Sequence, residues 1–101
     1  MVERTRRPSA QTVLVLDALA AQPDQWFYGL ELAAATGLKS GSLYPILIRL
    51  DERRMVESRW LEPERHGRPA RHAYRITAAG RAALRQARAA ASSLKPVRFP
   101  A

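Results

Sequence analysis

The chain has 101 residues, the size of a single domain, and its 17 Lys and Arg against 9 Asp and Glu give a net charge of +8. This balance indicates a polyanionic partner, either a nucleic acid or an anionic membrane surface. The lack of cysteine excludes disulfides, thiolate catalysis and cysteine-based zinc sites, and with no apolar run long enough to span a membrane and no signal peptide we expect a cytoplasmic protein.

The chain opens with a basic segment over residues 1–8. It sets Glu3 against Arg4, Arg6 and Arg7 and shows no hydrophobic periodicity. We expect a flexible arm. It either contacts the backbone or the minor groove of DNA or remains a disordered tail.

A first helix is predicted from an N-cap at Ser9 to about Ala21. Its apolar residues surround most of the helix; they are Val13, Leu14, Val15, Leu16 and Leu19. A helix that is apolar on more than one side is usually buried on more than one side. In so small a domain, the second buried surface is predicted to face a partner subunit.

A second helix is predicted over residues 29–36, after an aromatic cluster at 26–28 that we expect to form a short strand or hinge. The helical spacing places Leu30, Ala33 and Ala34 on one face, with Leu32 beside it. Gly37 follows where a left-handed C-cap is needed. The next helix begins two or three residues later, so the pair predicts a helix-turn-helix.

The stretch over residues 39–54 has the features of a recognition helix. Its large apolar residues lie on one helical face; they are Leu43, Ile46, Leu47 and Leu50. The other face carries Ser40, Ser42, Tyr44, Arg49 and Arg53, none of which is acidic. Such a face suits the major groove of DNA. Taken alone, the stretch favours an ordinary amphipathic surface helix, and the elements that follow it in the chain reverse that preference.

Pro45 constrains where this helix begins. Proline lacks the backbone N–H and disfavours the helix interior. We therefore predict that the first turn starts between Ser40 and Ser42.

Two alternating segments, 55–62 and 70–77, predict a β-hairpin. In the first, Val56, Ser58 and Trp60 share a face; in the second, His72, Tyr74 and Ile76 do. The polar turn between them carries Arg65, His66 and Arg68, which gives the hairpin a basic tip. A helix-turn-helix followed by such a hairpin is a winged helix.

The last helix is predicted from an N-cap at Thr77 to about Ser93, with Pro96 ending it and a tail over residues 95–101. A modest apolar stripe runs along this helix through Leu84, Ala87, Ala91 and Leu94. The overall expectation is a mostly α fold with a small β-hairpin wing (α+β). It comprises the arm (1–8), a winged helix-turn-helix (9–76), an added C-terminal dimerisation helix (77–94) and the tail (95–101).

Five segments in register resemble the PadR family of bacterial transcriptional regulators. They are YGLEL at 28–32, GSLYPIL at 41–47, LDERRMV at 50–56, GRP at 67–69 and YRITAAG at 74–80, and the resemblance covers about residues 12–90. It implies a winged-helix domain that binds two-fold-related operators as a homodimer and usually represses. It also implies that the C-terminal helix packs against the first helix of the partner.

The residues and the resemblance together yield two predicted surfaces. The DNA-binding surface comprises Tyr28, Lys39, Ser40, Ser42, Tyr44, Pro45, Arg49, Arg65, His66, Arg68 and Arg71. The dimer interface comprises Val13, Leu16, Leu84, Ala87, Ala91 and Leu94. Some short family members bind flat aromatic molecules against a tryptophan in the dimer-forming helix, but residues 77–94 contain no aromatic. A small-molecule effector therefore stays unidentified.

No catalytic constellation, resident cofactor or metal site is predicted, because the two histidines lack a third ligand nearby. We therefore expect a DNA-binding regulator, not an enzyme. The alternative is a winged helix that binds protein or RNA without operator specificity. The operator sequence, the regulated genes and the choice between repression and activation are not encoded in any motif of this chain.

Overall fold

A computed structural model of the chain describes residues 8–62 and 67–93, with backbone alone for residues 92 and 93. The predicted N-terminal arm, apart from Pro8, and the predicted tail lie outside this description. The elements run in the order α1 (Ala10–Ala20), β1 (Phe27–Tyr28), α2 (Gly29–Thr36), α3 (Ser40–Glu52), β2 (Val56–Leu61), β3 (Arg71–Ile76) and α4 (Ala78–Ser93). The predicted α+β winged helix is confirmed.

Helix α1 begins where its cap was predicted. The Ser9 hydroxyl accepts a hydrogen bond from the Thr12 N–H at 3.1 Å, satisfying one of the free amides of the first turn. Val15, Leu16 and Leu19 are fully buried in the core. Leu14 remains 46% exposed, so the apolar surface of α1 continues beyond what its own chain covers.

Helix α2 is tied at both ends. The Glu31 carboxylate accepts from the Tyr28 N–H at 2.8 Å, and Gly37 ends the helix in the left-handed conformation, φ 75°. The predicted apolar face was wrong: Leu32 is buried, whereas Leu30 is exposed. An eight-residue helix with five apolar residues has two faces of similar hydrophobicity, and contact with α1 decides between them.

Helix α3 starts at Ser40, within the predicted range. Its predicted apolar stripe is confirmed, since Leu43, Ile46, Leu47 and Leu50 are all buried. Pro45 lies inside the helix and leaves the carbonyl of Gly41 without its usual i+4 donor.

The two predicted strands form an antiparallel hairpin, and β1 adds a third strand in the order β1-β3-β2. The register pairs Val56 with Ile76 and Trp60 with His72. Phe27 of β1 pairs with Tyr74, so the aromatic cluster before α2 is part of the sheet. The core is formed where α1 and α3 pack against one face of this sheet.

The N-terminus of α4 is fastened to the turn that follows α3. The Thr77 hydroxyl donates to the carbonyl of Arg54 at 2.7 Å and accepts from the Gly80 N–H at 3.1 Å, while the Thr77 N–H donates to the carbonyl of Met55 at 3.0 Å. The predicted cap at Thr77 is thus confirmed. Further along, Arg88 of α4 forms an ion pair with Asp17 of α1.

Within the described ranges, no helix is long and apolar enough to cross a membrane.

Gly80 is predicted to be required for the packing of the start of α4 against the turn that follows α3. A Cβ at Gly80 would collide with the carbonyl oxygen of Met55 and lie 2.8 Å from Cγ1 of Ile76. We expect Gly80→Ala to lower the free energy of unfolding by about 1–3 kcal/mol, as overpacking does. Urea denaturation monitored by circular dichroism provides the measurement.

Gly41→Ala is the matched control, because a Cβ at Gly41 meets no atom within 4 Å. Its helical position predicts a gain of about 0.5–1 kcal/mol from reduced backbone entropy. Equal effects of the two substitutions would contradict the packing of α4 against the turn.

Candidate nucleic-acid interface

The outward face of α3 presents polar groups at its N-terminal end. Lys39, the N-cap residue, makes no side-chain cap, and the hydroxyls of Ser40 and Ser42 make no hydrogen bond with any described residue. All three side chains are exposed, together with Pro45 and Arg49. Free amides and hydroxyls at a helix N-terminus can receive an anion such as a phosphate.

Tyr44 is 39% exposed and leans across the start of α2. Its ring lies so close to Gly29 that a Cβ there would collide with the Tyr44 hydroxyl and lie 2.8 Å from Cζ. The missing side chain of Gly29 therefore sets the position of Tyr44. The motif residues Gly29 and Tyr44, fifteen positions apart, act as one local unit.

The wing contributes cations on the side of α2. Arg68 is exposed next to Gly67, whose φ is 91°. The Arg71 guanidinium lies 4.0 Å from the centre of the Tyr28 ring, so two predicted contact residues also contact each other. Arg65 and His66 lie outside the described residues.

Two further arginines of the sheet are engaged elsewhere. Arg59 and Arg75 lie over the ring of Trp26 at 4.3 and 4.5 Å, and Arg75 also pairs with Glu57 at 2.9 Å. They belong to the opposite face of the sheet from Trp60 and His72, as the strand register shows. By the same register Arg71 also lies on that face, so these three sheet arginines line one side of the sheet, Arg71 over Tyr28 and the other two over Trp26.

A groove of about 580 Å³ opens between α3 and the hairpin. Tyr44 and Ile48 line it from α3, and Trp60, His72 and Tyr74 line it from the sheet. The Trp60 and His72 rings stack with centroids 4.7 Å apart and an interplanar angle of 11°. The Ser58 hydroxyl donates to the Asp51 carboxylate at 3.2 Å where the helix meets β2.

Tyr74 lies at the inner end of this groove. Its hydroxyl is 3.2 Å from Nδ1 of His72, and its ring is tilted 42° against the His72 ring. Burial raises the pKa of the Tyr74 phenol, and the nearby Tyr44 and Asp51 add to the effect. The phenol therefore remains neutral throughout the physiological pH range.

Three apolar residues beside this interface were missed by the sequence reasoning. Leu30 is 75% exposed, Trp60 67% and Ile48 58%. The sequence did contain one indication of exposed apolar surface: Ile48 does not share the helical spacing of the buried stripe of α3. Helical spacing identifies such a residue as outward-facing without indicating what contacts it.

The predicted dimer interface needs correction at two positions. Leu16 is fully buried and Leu84 is 2% exposed, because both side chains join the core of their own chain. Val13 and Ala87 are partly buried and Ala91 is exposed, while Leu94 lies outside the described residues. The stripe of α4 thus begins as intramolecular packing against α1.

The sequence profile of the PadR-like transcriptional regulator family matches residues 15–86 of this chain, well over half of its length. The chain belongs to the PadR family. The predicted resemblance is confirmed, and PadR proteins are transcriptional regulators, not enzymes. Comparison with curated protein sequences gives no match.

Solved structures support the same fold. A PadR family transcription regulator from Clostridium difficile R20291 superposes with a TM-score of 0.73 at 22% identity, over 86% of this chain and 92% of that one. A PadR family regulator from Eggerthella lenta DSM 2243 gives a TM-score of 0.69 at 26% identity, over 81% of this chain and 74% of that one. The winged-helix architecture is therefore shared with other PadR proteins.

Gly29→Ala is predicted to displace Tyr44 and weaken DNA binding. If Tyr44 contacts DNA, the loss in affinity should approach that of Tyr44→Ala, because both changes remove the ring from its position. Fluorescence anisotropy with labelled operator DNA measures the effect.

A double-mutant cycle tests the coupling of these two residues. Gly29→Ala in the Tyr44→Ala background should change DNA affinity little, and circular dichroism should show intact folding in all four proteins. Additive losses would mean that Gly29 acts independently of Tyr44.

Proposed function

We propose that this PadR protein is a sequence-specific DNA-binding regulator, a repressor that binds an inverted-repeat operator as a homodimer. The observation that carries the proposal is the outward face of α3. Its serine hydroxyls and Tyr44 are exposed, and its stripe of four leucine and isoleucine residues is buried. Helix α3 then enters the major groove and the wing follows the adjacent backbone. Such a regulator acts in the cytoplasm.

Residues 9–76 form the DNA-binding part in this proposal, and residues 77–94 the dimerisation helix. Lys39, Ser40, Ser42 and Arg49 contact phosphates at the edges of the groove, while Tyr44 reaches the bases. Arg68, together with Arg65 and His66 of the wing tip outside the described residues, contacts phosphates or the minor groove. Arg71 contacts the backbone together with Tyr28, since the two side chains already touch.

The dimer in this proposal buries apolar surface that is exposed or only partly buried in a single chain. On α1 that surface is Leu14 with the partly buried Val13, and on α4 it is Ala87 and Ala91. Small residues on α4 allow a partner helix to approach closely. Two-fold symmetry then sets the recognition helices about one DNA turn apart, about 34 Å.

A protein-binding or RNA-binding winged helix is the second candidate. The exposed Trp60 favours it, since protein interfaces are enriched in aromatic residues. The net charge of +8 favours a nucleic acid. Operator selection from random DNA separates the candidates, because only the proposed regulator enriches one symmetric sequence.

The roles of helix and wing are predicted to differ. Tyr44→Ala should weaken operator binding more than binding to scrambled DNA, because base contacts carry the discrimination. Arg68→Ala should weaken both DNAs equally and reduce the slope of log K against log salt by about 0.9, the contribution of one neutralised phosphate. Anisotropy titrations over a range of salt concentrations measure both.

Wild-type operator affinity that does not change with salt would contradict phosphate contact altogether. Operator binding at wild-type strength in both variants, with folding intact, would contradict the site assignment.

Leu14→Glu is predicted to dissociate the dimer. An unpaired carboxylate in an apolar interface costs several kcal/mol, while exposed Leu14 contributes little to its own core. Sedimentation equilibrium at micromolar concentration should show a monomer, and operator affinity should fall because the second half-site is lost.

Gln11→Glu is the matched control, since Gln11 is exposed one turn earlier on α1 and gains the same charge. It should remain dimeric. A monomeric wild type, or a Leu14→Glu dimer as tight as wild type, would overturn the proposed interface.

A further inference from the structure

The side of α3 that lies farthest from the core is apolar. At 3.6 residues per turn, Gly41, Pro45 and Ile48 lie about opposite the centre of the buried stripe, and we call them the outer line of α3. All three are exposed, and Ile48 is 58% exposed, more than any other large apolar side chain of this helix. The outer line ends one turn later at Glu52, the last residue of α3.

The outer line offers no hydrogen-bonding side chain to a partner. Gly41 has no side chain, Pro45 lacks even a backbone N–H, and the Ile48 side chain is entirely hydrocarbon. A Cβ at Gly41 meets no atom within 4 Å, so the space in front of the helix backbone is open at that position. Any contact that this line makes through a side chain is therefore an apolar contact of Ile48.

The polar side chains of α3 lie on the two flanks of the outer line. Tyr44 lies roughly a quarter of a turn to one side, and Ser42 and Arg49 lie about as far to the other. In the proposed DNA complex, these flanks face the two sides of the major groove and the outer line faces its floor. Ile48 is then the side chain that points most directly at the edges of the bases.

Packing within the chain does not explain Ile48. The residue belongs neither to the buried core nor to the partly buried residues packed against it. A single exposed apolar residue is ordinary on a protein surface, but Ile48 lies at the centre of the proposed recognition face. Because its side chain is exposed and alanine is the best helix former, Ile48→Ala should leave the fold intact.

An isoleucine at the floor of the major groove has one matching base. Only thymine presents an apolar group there, its 5-methyl group. The other bases present N7, O6 or amino groups, which Ile48 would remove from water without a hydrogen bond. We propose that Ile48 reads one thymine in each half-site through contact with the 5-methyl group. This inference rests on the proposed function and adds to it the chemistry of one operator position.

Removing the methyl group from the DNA tests the proposal with the wild-type protein. Operator DNA is first selected from random sequence, and each symmetric pair of thymines is then replaced in turn by deoxyuridine. Deoxyuridine keeps every hydrogen-bonding atom of thymidine and loses only the 5-methyl group. At one pair of positions, affinity measured by fluorescence anisotropy should fall about fourfold for one half-site and about fifteenfold for both, the effect of one buried methyl group in each.

The same titrations with Ile48→Ala assign the contact to this side chain. The variant should bind thymine and deoxyuridine operators equally at that pair, because the contacting group is gone from the protein. Leu30→Ala is the matched control, since Leu30 is an apolar residue of α2 that is 75% exposed and lies off the outer line. It should keep the full preference for thymine.

Three results would overturn the role of Ile48 and leave DNA binding standing. They are equal wild-type affinity for thymine and deoxyuridine at every position, thymine preferences that Ile48→Ala leaves unchanged at every position, and selected half-sites that contain no thymine. Random DNA that yields no enriched sequence would instead overturn the proposed function, and this inference would fall with it.

Discussion

The arrangement of this domain depends on the burial of one helical stripe. Leu43, Ile46, Leu47 and Leu50 fix the rotation of α3 about its axis, because all four are buried in the core that α3 shares with α1 and the sheet. Once that rotation is fixed, the serines, Tyr44 and Ile48 must face outward. A charge within the stripe would therefore affect both stability and the surface offered to DNA. The core-facing stripe and the outward-facing interface are opposite sides of the same three and a half turns of α3.

Much of the fold was predictable from the sequence because the relevant periodicities are local. The caps at Ser9 and Thr77, the left-handed end at Gly37 and the alternation in both strands need only neighbouring residues. The family motifs then confirmed the order of the elements. The α3 stripe was clear because its spacing leaves only one apolar face.

Other features depend on what a surface meets, which local spacing does not encode. Leu30 and Leu32 are equally apolar, yet only Leu32 is buried in the core. Leu84 was assigned to a partner chain, but the core of its own chain covers it. The groove is not predictable from local spacing either. It brings Tyr44 of α3 together with Trp60 and His72, which lie on two strands and become neighbours only through the strand register. Of the DNA-contact positions, those on α3 follow from helical spacing, and those at the wing tip follow from the basic turn between the two strands.

The bonds of Thr77 have a mechanical consequence. One hydroxyl joins the end of the α3 turn to the start of α4, with Gly80 closing the joint against Met55. These contacts hold α4 at a fixed angle to the recognition helix α3. In a two-fold assembly, the angle between α3 and α4 would set the distance between the two recognition helices. Relatives in which the contact between α4 and the turn after α3 differs are therefore expected to bind half-sites at a different spacing with the same recognition residues.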